Sequence, residues 1–335
     1  MAARPIPAPA RLFLALLILI VGACTPVAST HAPTTAPATP TAAPTGPPPT
    51  ATPVPAFPVT LTDDEGTKVT IAAEPRKIVS LTPDTTESLF ALGAGSRVVG
   101  KVEDLANFPP EAASVPVVAR FDGVDVEQIV ALEADLVISA GTGLTQGDAV
   151  EQLRRANITV LVSYPTTVDG GLASIRRIGQ AIGLAEEAAT LADGIAARLD
   201  DLTAIASSAG SRPRVFYEID VTGGIFTPPA ASIYGEMFKL AGGEPISGDA
   251  NYSISLEELI AADPEVILLG DAAYGATPEN VVAREGWGGM TAVKDGRIVA
   301  VDDIVITRPG PRLAQGLEAL IRAIHPELTL PSAAP

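Results

Sequence analysis

From Lys77 onward, short apolar runs alternate with longer amphipathic ones. Lys77 to Leu81, Arg97 to Lys101, Leu136 to Ser139 and Ile158 to Val162 read as strands, and Thr85 to Leu92, Val126 to Leu132 and Asp148 to Ala156 as helices. A second series follows, with strands near Val215 to Ile219, Val266 to Leu269 and Ile298 to Val301, and helices near Ile233 to Leu240, Leu256 to Ala262 and Pro311 to Ile324. Such alternation predicts parallel sheets flanked by helices, and its single repetition predicts two α/β lobes. Ahead of both, VTLTDDEGTKVTIA alternates about Asp64-Glu65-Gly66 and predicts a β-hairpin.

The halves share a local pattern. VEQIVALEADLVI, Val126 to Ile138, lines up without gaps on LEELIAADPEVIL, Leu256 to Leu268, matching Glu127 to Glu257, Ile129 to Leu259 and Ala131 to Ala261. Each half of the match reads as a helix, a tight turn and a buried strand. Between the lobes, Ala185 to Ser207 carries an apolar stripe through Ala188, Leu191, Ala192, Ile195, Leu199, Leu202 and Ile205. At 1.5 Å per residue this helix spans roughly 35 Å, the width of a small lobe. One continuous helix between lobes is stiffer than several loop strands, which predicts small opening and closing motions.

The front of the chain has a different grammar. Arg11 to Ala23 read RLFLALLILIVGA, a basic residue and an apolar run too short to span a membrane comfortably, ending in small residues as signal peptides do. The run closes on Val21-Gly22-Ala23-Cys24, similar to the lipobox of bacterial lipoproteins, which makes Cys24 the expected acylated anchor; a non-lipidated signal peptide is the alternative. Thr25 to Thr62 contain no formally charged residue and are dominated by proline, threonine and alanine, a composition that cannot bury enough apolar surface to fold. At ~3.1 Å per residue, roughly 30 such residues make a semi-rigid stalk on the order of 90 Å long.

Composition narrows the function. The 335 residues carry 39 acids against 22 bases, a formal charge of -17, which argues against neutralising nucleic-acid phosphates. Cys24 is the single cysteine, excluding an intrachain disulfide and a cysteine-built zinc site. The only histidines are His31 in the stalk and His325 beside Pro326, so no histidine triad or histidine-rich metal site can be assembled.

The succession RKIVSLTPDTTESLFALGAGSRVVG, NFPPEA, VEQIVALEADLVI, IRRIGQAIGL, RVFYEI, MFKLAGGEPI, SLEELIAADPEVILL, AVKDGRIVAVD and RPGPRLAQGLEALIRAIHPE runs in order from about Val59 to Glu327. It resembles the helical-backbone periplasmic-type binding proteins that serve ABC importers for cobalamin, haem and iron-siderophore complexes, and the RPGPRL and PPEA segments lean to the cobalamin-type branch. The resemblance implies two Rossmann-like lobes joined by one long helix with a ligand cleft between them, and a monomer that delivers its small-molecule ligand to a membrane permease and its ATPase. With the leader and stalk read above, the chain divides into residues 1–23 as signal peptide and 24–58 as lipid-anchored linker, and the resemblance implies 59–184 as N-terminal lobe, 185–210 as bridging helix and 211–330 as C-terminal lobe. No resident cofactor is expected; the transported ligand is a corrinoid, a haem or a ferric chelate. The place of action is the extracytoplasmic face of the cytoplasmic membrane.

By similarity Thr82 and Pro83 edge the cleft, and Phe108, Phe121 and Tyr252 fall near aromatic wall positions suited to a flat macrocycle. Thr82-Pro83-Asp84 has a structural reading as well, an N-cap with proline at the first helical position. Arg120 and Arg308 present planar forks suited to a carboxylate or phosphate, with ordinary surface arginine as the alternative. Glu127 and Glu257, at equivalent positions on the two lobes, match the acids that dock on permease arginines in the family; a solvated glutamate in a helix's first turn is the plainer reading. Asn107 departs from an aspartate common in the family, and Trp287 falls in a structural GWGGM stretch.

Two other functions compete. A dinucleotide enzyme would use Gly141-Thr142-Gly143 and Gly147, but the spacing departs from GxGxxG, and Gly93-Ala94-Gly95 follows a helix as a C-cap does. A surface sensor or adhesion module would keep the binding fold without a permease. The reading favoured is a binding protein without enzymatic activity.

Overall fold

The computed structural model describes residues 57–120, 122–142 and 147–331. Cys24, the leader, nearly all of the stalk and Phe121 lie outside the described residues.

The chain enters through a hairpin, β1 (Val59–Thr62) and β2 (Lys68–Ile71), paired antiparallel. Asp63 shapes its turn by accepting from the amides of Glu65 and Thr67, and Gly66 supplies the left-handed residue at φ 79°. The first lobe follows: β3 (Ile78–Ser80), α1 (Pro83–Ala91), β4 (Val98–Val102), β5 (Val117–Arg120), β6 (Gly123–Val124), α2 (Val126–Ala131), β7 (Leu136–Ser139), α3 (Gly147–Arg155) and β8 (Thr159–Val162). Its sheet has the order β6-β5-β4-β3-β7-β8, parallel except where β6 turns back on β5.

Two long helices come next, α4 (Val168–Ile182) and α5 (Ala185–Ser207). The second lobe contains β9 (Arg214–Glu218), β10 (Ile225–Phe226), α6 (Ile233–Leu240), β11 (Glu244–Ile246), β12 (Ser253–Ile254), α7 (Leu256–Ala262), β13 (Val266–Leu269), α8 (Pro278–Val282), α9 (Thr291–Lys294), β14 (Ile298–Ala300), α10 (Asp303–Thr307) and α11 (Leu313–Ile324). Its parallel sheet runs β11-β9-β13-β14, while β10 and β12 form a separate antiparallel ribbon. The fold is α/β with two lobes, as the alternating pattern predicts.

The repeat seen in the sequence is a repeat in space. Asp125 and Ser255 cap α2 and α7 by accepting from the amides of Gln128 and Glu258. Ile129 and Leu259 are both fully buried beneath their helices. Glu133 and Asp263 both turn the chain in the left-handed region, at φ 55° and 46°. Asp135 accepts from the amides of Arg76 and Lys77, and Glu265 does the same for Arg214, so one carboxylate pins the start of the first strand in each lobe.

Alternation along each central strand divides the apolar residues between two layers. Ile78, Leu136, Ile138 and Leu161 in one lobe, and Val215, Tyr217, Val266 and Leu268 in the other, face a single core shared with α4, α5 and α11. The opposite faces fill separate caps: Val79, Leu81, Val137 and Val160 under α2 and α3, and Phe216, Ile267 and Leu269 under α7 and Trp287. Trp287 is a structural residue, edge-on to Phe216 at 6.0 Å.

α5 is among the helices predicted from the sequence but its neighbour α4 is not; Val168, Leu172, Ile175, Ile178 and Ile182 of α4 recur at helical spacing, while its Gly170, Gly171 and Gly179 lower intrinsic helix preference. Packing explains two of these glycines. A Cβ on Gly179 would sit 2.1 Å from that of Ala188 on α5, and one on Gly171 would meet Pro309 O and Leu313 at 3.0 Å. Gly179→Ala is therefore expected to force the two helices apart and to destabilise the fold by about 1–3 kcal/mol. A urea melt reads this directly; an unchanged midpoint would show that the helices separate without cost.

Candidate functional site

Side chains from both lobes enclose a cavity of about 420 Å³. The first lobe contributes the loops that leave β3, β7 and β8 at their carboxyl ends, where open α/β sheets bind ligands. Thr82 ends the β3 loop in extended conformation and caps α1 by accepting from the Thr85 amide at 3.4 Å, while its hydroxyl donates to Thr85 Oγ1 at 2.8 Å, with Pro83 at the first helical position. Ala140 follows β7, and Ser163 to Thr166 follow β8. The second lobe contributes Pro229, Ala231 to Tyr234, Tyr252, Thr307 and Pro309.

Three tyrosines dominate the polar lining. Tyr164 is exposed, and its amide donates to Asp64 Oδ2 at 2.7 Å. Asp64 also pairs with Arg177 on α4 at 2.6 Å, and Glu65 beside it accepts from the amide and hydroxyl of Thr142 at 2.5 Å. The hairpin tip thus fixes two loops of the cavity rim from behind. Tyr234 is half-buried, and burial pushes its phenol up to about 12, with Asp303 adding to the effect, so it stays a neutral donor. Tyr252 sits at φ 62° in the turn that leads into β12, 40% exposed.

Behind the cavity, the segment after α10 clamps the first lobe. Arg308 Nη1 donates to Glu87 Oε1 at 2.7 Å and to Asp104 Oδ2 at 3.0 Å, and its Nη2 to Asp104 Oδ1 at 2.5 Å. Arg312 donates to both oxygens of Glu87, at 2.9 and 2.7 Å, and lies over the Phe108 ring at 4.0 Å. Glu87, Asp104 and Arg312 are all buried. Burial alone would push the Asp104 carboxyl up, but the Arg308 hydrogen bonds and charge, with the amides of Ala106 and Phe108, hold it below the usual carboxylate range. Asp303, in turn, accepts from the Tyr217 phenol and is raised by burial.

Of the residues singled out in the sequence, Thr82, Pro83 and Tyr252 meet in this cavity. Phe108 lies against Arg312 instead, and Arg308 is flanked by two lining residues, but its fork is committed to Glu87 and Asp104. Arg120 is exposed on β5, with Nε 3.5 Å from Glu103. Glu127 and Glu257 stand exposed in the first turns of α2 and α7. Phe121, Gly143 and Cys24 lie outside the described residues. Sequence reasoning did not single out Tyr164 or Tyr234. The position of Tyr164-Pro165 directly after a predicted strand was the available signal for the first. For the second it was Tyr234 at the start of a helix in the second lobe, much as Pro83 starts one in the first. His325 is buried, with its ring nitrogens near Glu327 Oε1 and Gly242 O. No group of three metal-binding side chains occurs among the described residues.

The family profile described as periplasmic binding protein matches residues 78–305. The chain is 34% identical over 277 residues to the uncharacterized ABC transporter substrate-binding lipoprotein YvrC of Bacillus subtilis (strain 168), covering 81% of this chain and 87% of that one. It is 32% identical to a cobalamin-binding protein of Halobacterium salinarum, over 81% of this chain and 75% of the relative. Among solved structures it resembles the apo form of the periplasmic heme-binding protein RhuT from Roseiflexus sp. RS-1, with a TM-score of 0.64, 28% identity and coverage of 75% of this chain and 99% of that one. A two-lobed α/β chain is the architecture of the solved binding proteins it resembles. The chain belongs to the periplasmic binding protein family.

Asp84 lines the cavity beside Thr82, and burial pushes its carboxyl up to about 6. The folded protein therefore keeps this proton at pH values where the unfolded chain, titrating near ~4, has released it. Stability from this group is full below ~4, declines as pH rises towards 6 and is flat above. Asp84→Asn is expected to abolish that decline, on the order of 2–3 kcal/mol, in urea melts between pH 4 and 7.5. A variant with the parental slope would place the decline on another group.

Proposed function

We propose that the protein is the extracytoplasmic solute-binding component of an ABC importer, capturing a cobalamin-like or iron-chelate ligand in the interlobe cavity and delivering it to a membrane permease and its ATPase. The observation that carries this reading is the cavity itself, built jointly by both lobes at strand carboxyl ends in a chain of this family. The relatives' names agree: one is a substrate-binding lipoprotein of an ABC transporter, another a cobalamin-binding protein. Thr82, Pro83 and Tyr252, joined by Tyr164 and Tyr234, are the ligand-contacting residues. Their mix of rings and hydroxyls suits a flat macrocycle with a polar rim.

The remaining assignments follow the same reading. Residues 59–184 and 211–330 form the lobes and 185–210 the bridge; Cys24 carries the lipid anchor after removal of 1–23, with residues 24–58 as tether. Glu127 and Glu257, at equivalent places on the two lobes and both exposed, guide docking on a basic permease surface through charge that salt weakens.

The ligand test is to mix the protein with cyanocobalamin, haemin and ferric siderophores, desalt, and record the spectrum that travels with it. A stoichiometric chromophore is expected, with affinity reduced about tenfold in Tyr252→Ala. Clean protein in every mixture would sink the chelate reading. Docking is read separately: Glu127→Lys with Glu257→Lys is expected to leave ligand binding intact and to abolish stimulation of the permease ATPase. Full stimulation by the double variant would remove these acids from the interface.

A further inference from the structure

The charge inventory of the cavity goes further than its shape. Resting on the binding function above, we infer that the cavity selects a chelate whose enclosed face is uncharged or cationic and carries amide or hydroxyl groups, and rejects carboxylate-bearing chelates, because Glu87 and Asp104 withhold the neighbouring arginine forks from it.

Asp84 is the single charged side chain among the described lining residues; the rest are tyrosines, hydroxyls, prolines and small apolar groups. Phe121 and residues 143–146, outside the described set, bring no charged side chain by sequence. The cation adjoining the cavity along the chain is Arg308, between the lining residues Thr307 and Pro309. Its charge reaches Asp84. Yet both terminal nitrogens of its fork already bond Glu87 and Asp104, and Arg312 is bidentate to Glu87. Two arginines meet two carboxylates, and no cationic side chain is among the described lining residues.

The consequence is a discrimination between chelates of similar size. A carboxylate entering this cavity gives up its hydration, finds no cation and faces Asp84. An amide gives up less and finds phenol and hydroxyl partners that can both donate and accept. Asp104 is the specificity-determining residue in this account, since it occupies the Arg308 nitrogens from outside the cavity. The same logic argues against Arg308 reading an anionic ligand: the sequence shows its fork but not that Glu87 and Asp104 engage it.

The test is equilibrium dialysis of the purified protein against three chromophores: cyanocobalamin, rimmed by amides; haemin, with two propionates; and ferric citrate. Cyanocobalamin is expected to bind at least about tenfold more tightly than either carboxylate-bearing chelate. Haemin or ferric citrate binding as tightly as cyanocobalamin, or more so, overturns the inference while leaving the importer reading in place. Retention of none of the three overturns the chelate reading and the inference with it. Asp104→Asn, checked for folding by its melt, is expected to raise haemin affinity by about tenfold while changing cyanocobalamin affinity less than about threefold. A folded variant without that gain shows that Asp104 does not set the preference. Should the variant not fold, the order of the three probes on the parent protein still decides.

Discussion

The two lobes are held in register by a patch of four charges, buried Glu87 and Asp104 from the first lobe and partly buried Arg308 and buried Arg312 from the second. Burying such groups costs several kcal/mol for each ion unless every donor and acceptor is matched, and here the forks and carboxylates match closely. The asymmetry of that energetics matters most. Assembled, the patch contributes little net stability, but removing one member strands a buried charge at about 3–5 kcal/mol. A lobe cannot rotate away from its partner without exposing or unpairing these groups. The patch therefore resists a wide separation of the lobes.

This patch also marks where sequence reasoning stops. The helix-turn-strand repeat was legible because its cues are local: an N-cap, a buried residue on one helix face, a left-handed turn and an apolar strand, all within thirteen or so residues. The cap at Thr82 and the long stripe of α5 were legible for the same reason. Arg308 was visible as a candidate, but its partners lie 221 and 204 residues earlier, and no local pattern announces a contact at that distance. α4 is missing from the predicted helices although its apolar spacing is helical; its glycines lower helix preference, and the need for Gly179 at the close approach to α5 is visible only in the fold. Tyr164 and Tyr234 are ordinary tyrosines until the strand ends bring them together.

The entry hairpin belongs to the site for a similar non-local reason. Its strands are short and could not stand alone in water, but its tip is wired to the loop after β7 through Glu65, to the loop after β8 through Asp64, and to α4 through the Asp64–Arg177 pair. Asp63, buried at the turn, faces Arg154 of α3 at 3.7 Å. The first folded segment after the proline-rich stretch thus braces the cavity rim. Loops that carry ligand contacts are usually the mobile part of a fold; here two of them gain fixed backbone partners from an element that never lines the cavity.

Stiffness and access then pull in opposite directions. The inner faces of both sheets, α4, α5 and α11 form one continuous apolar core, so a wide swing of the lobes would expose surface at roughly 25 cal/mol per Å². A rearrangement of even a few hundred Å² would cost as much as a large share of the stability of an ordinary domain. The parts of the cavity lining least tied to that core are the turn at Tyr252, which leads into a two-stranded ribbon separate from the main sheet, and the exposed ring of Tyr164. The continuous core and the ion pairs between the lobes both oppose a large closure, and small changes in the spacing of the lobes are the motion this fold allows at least cost.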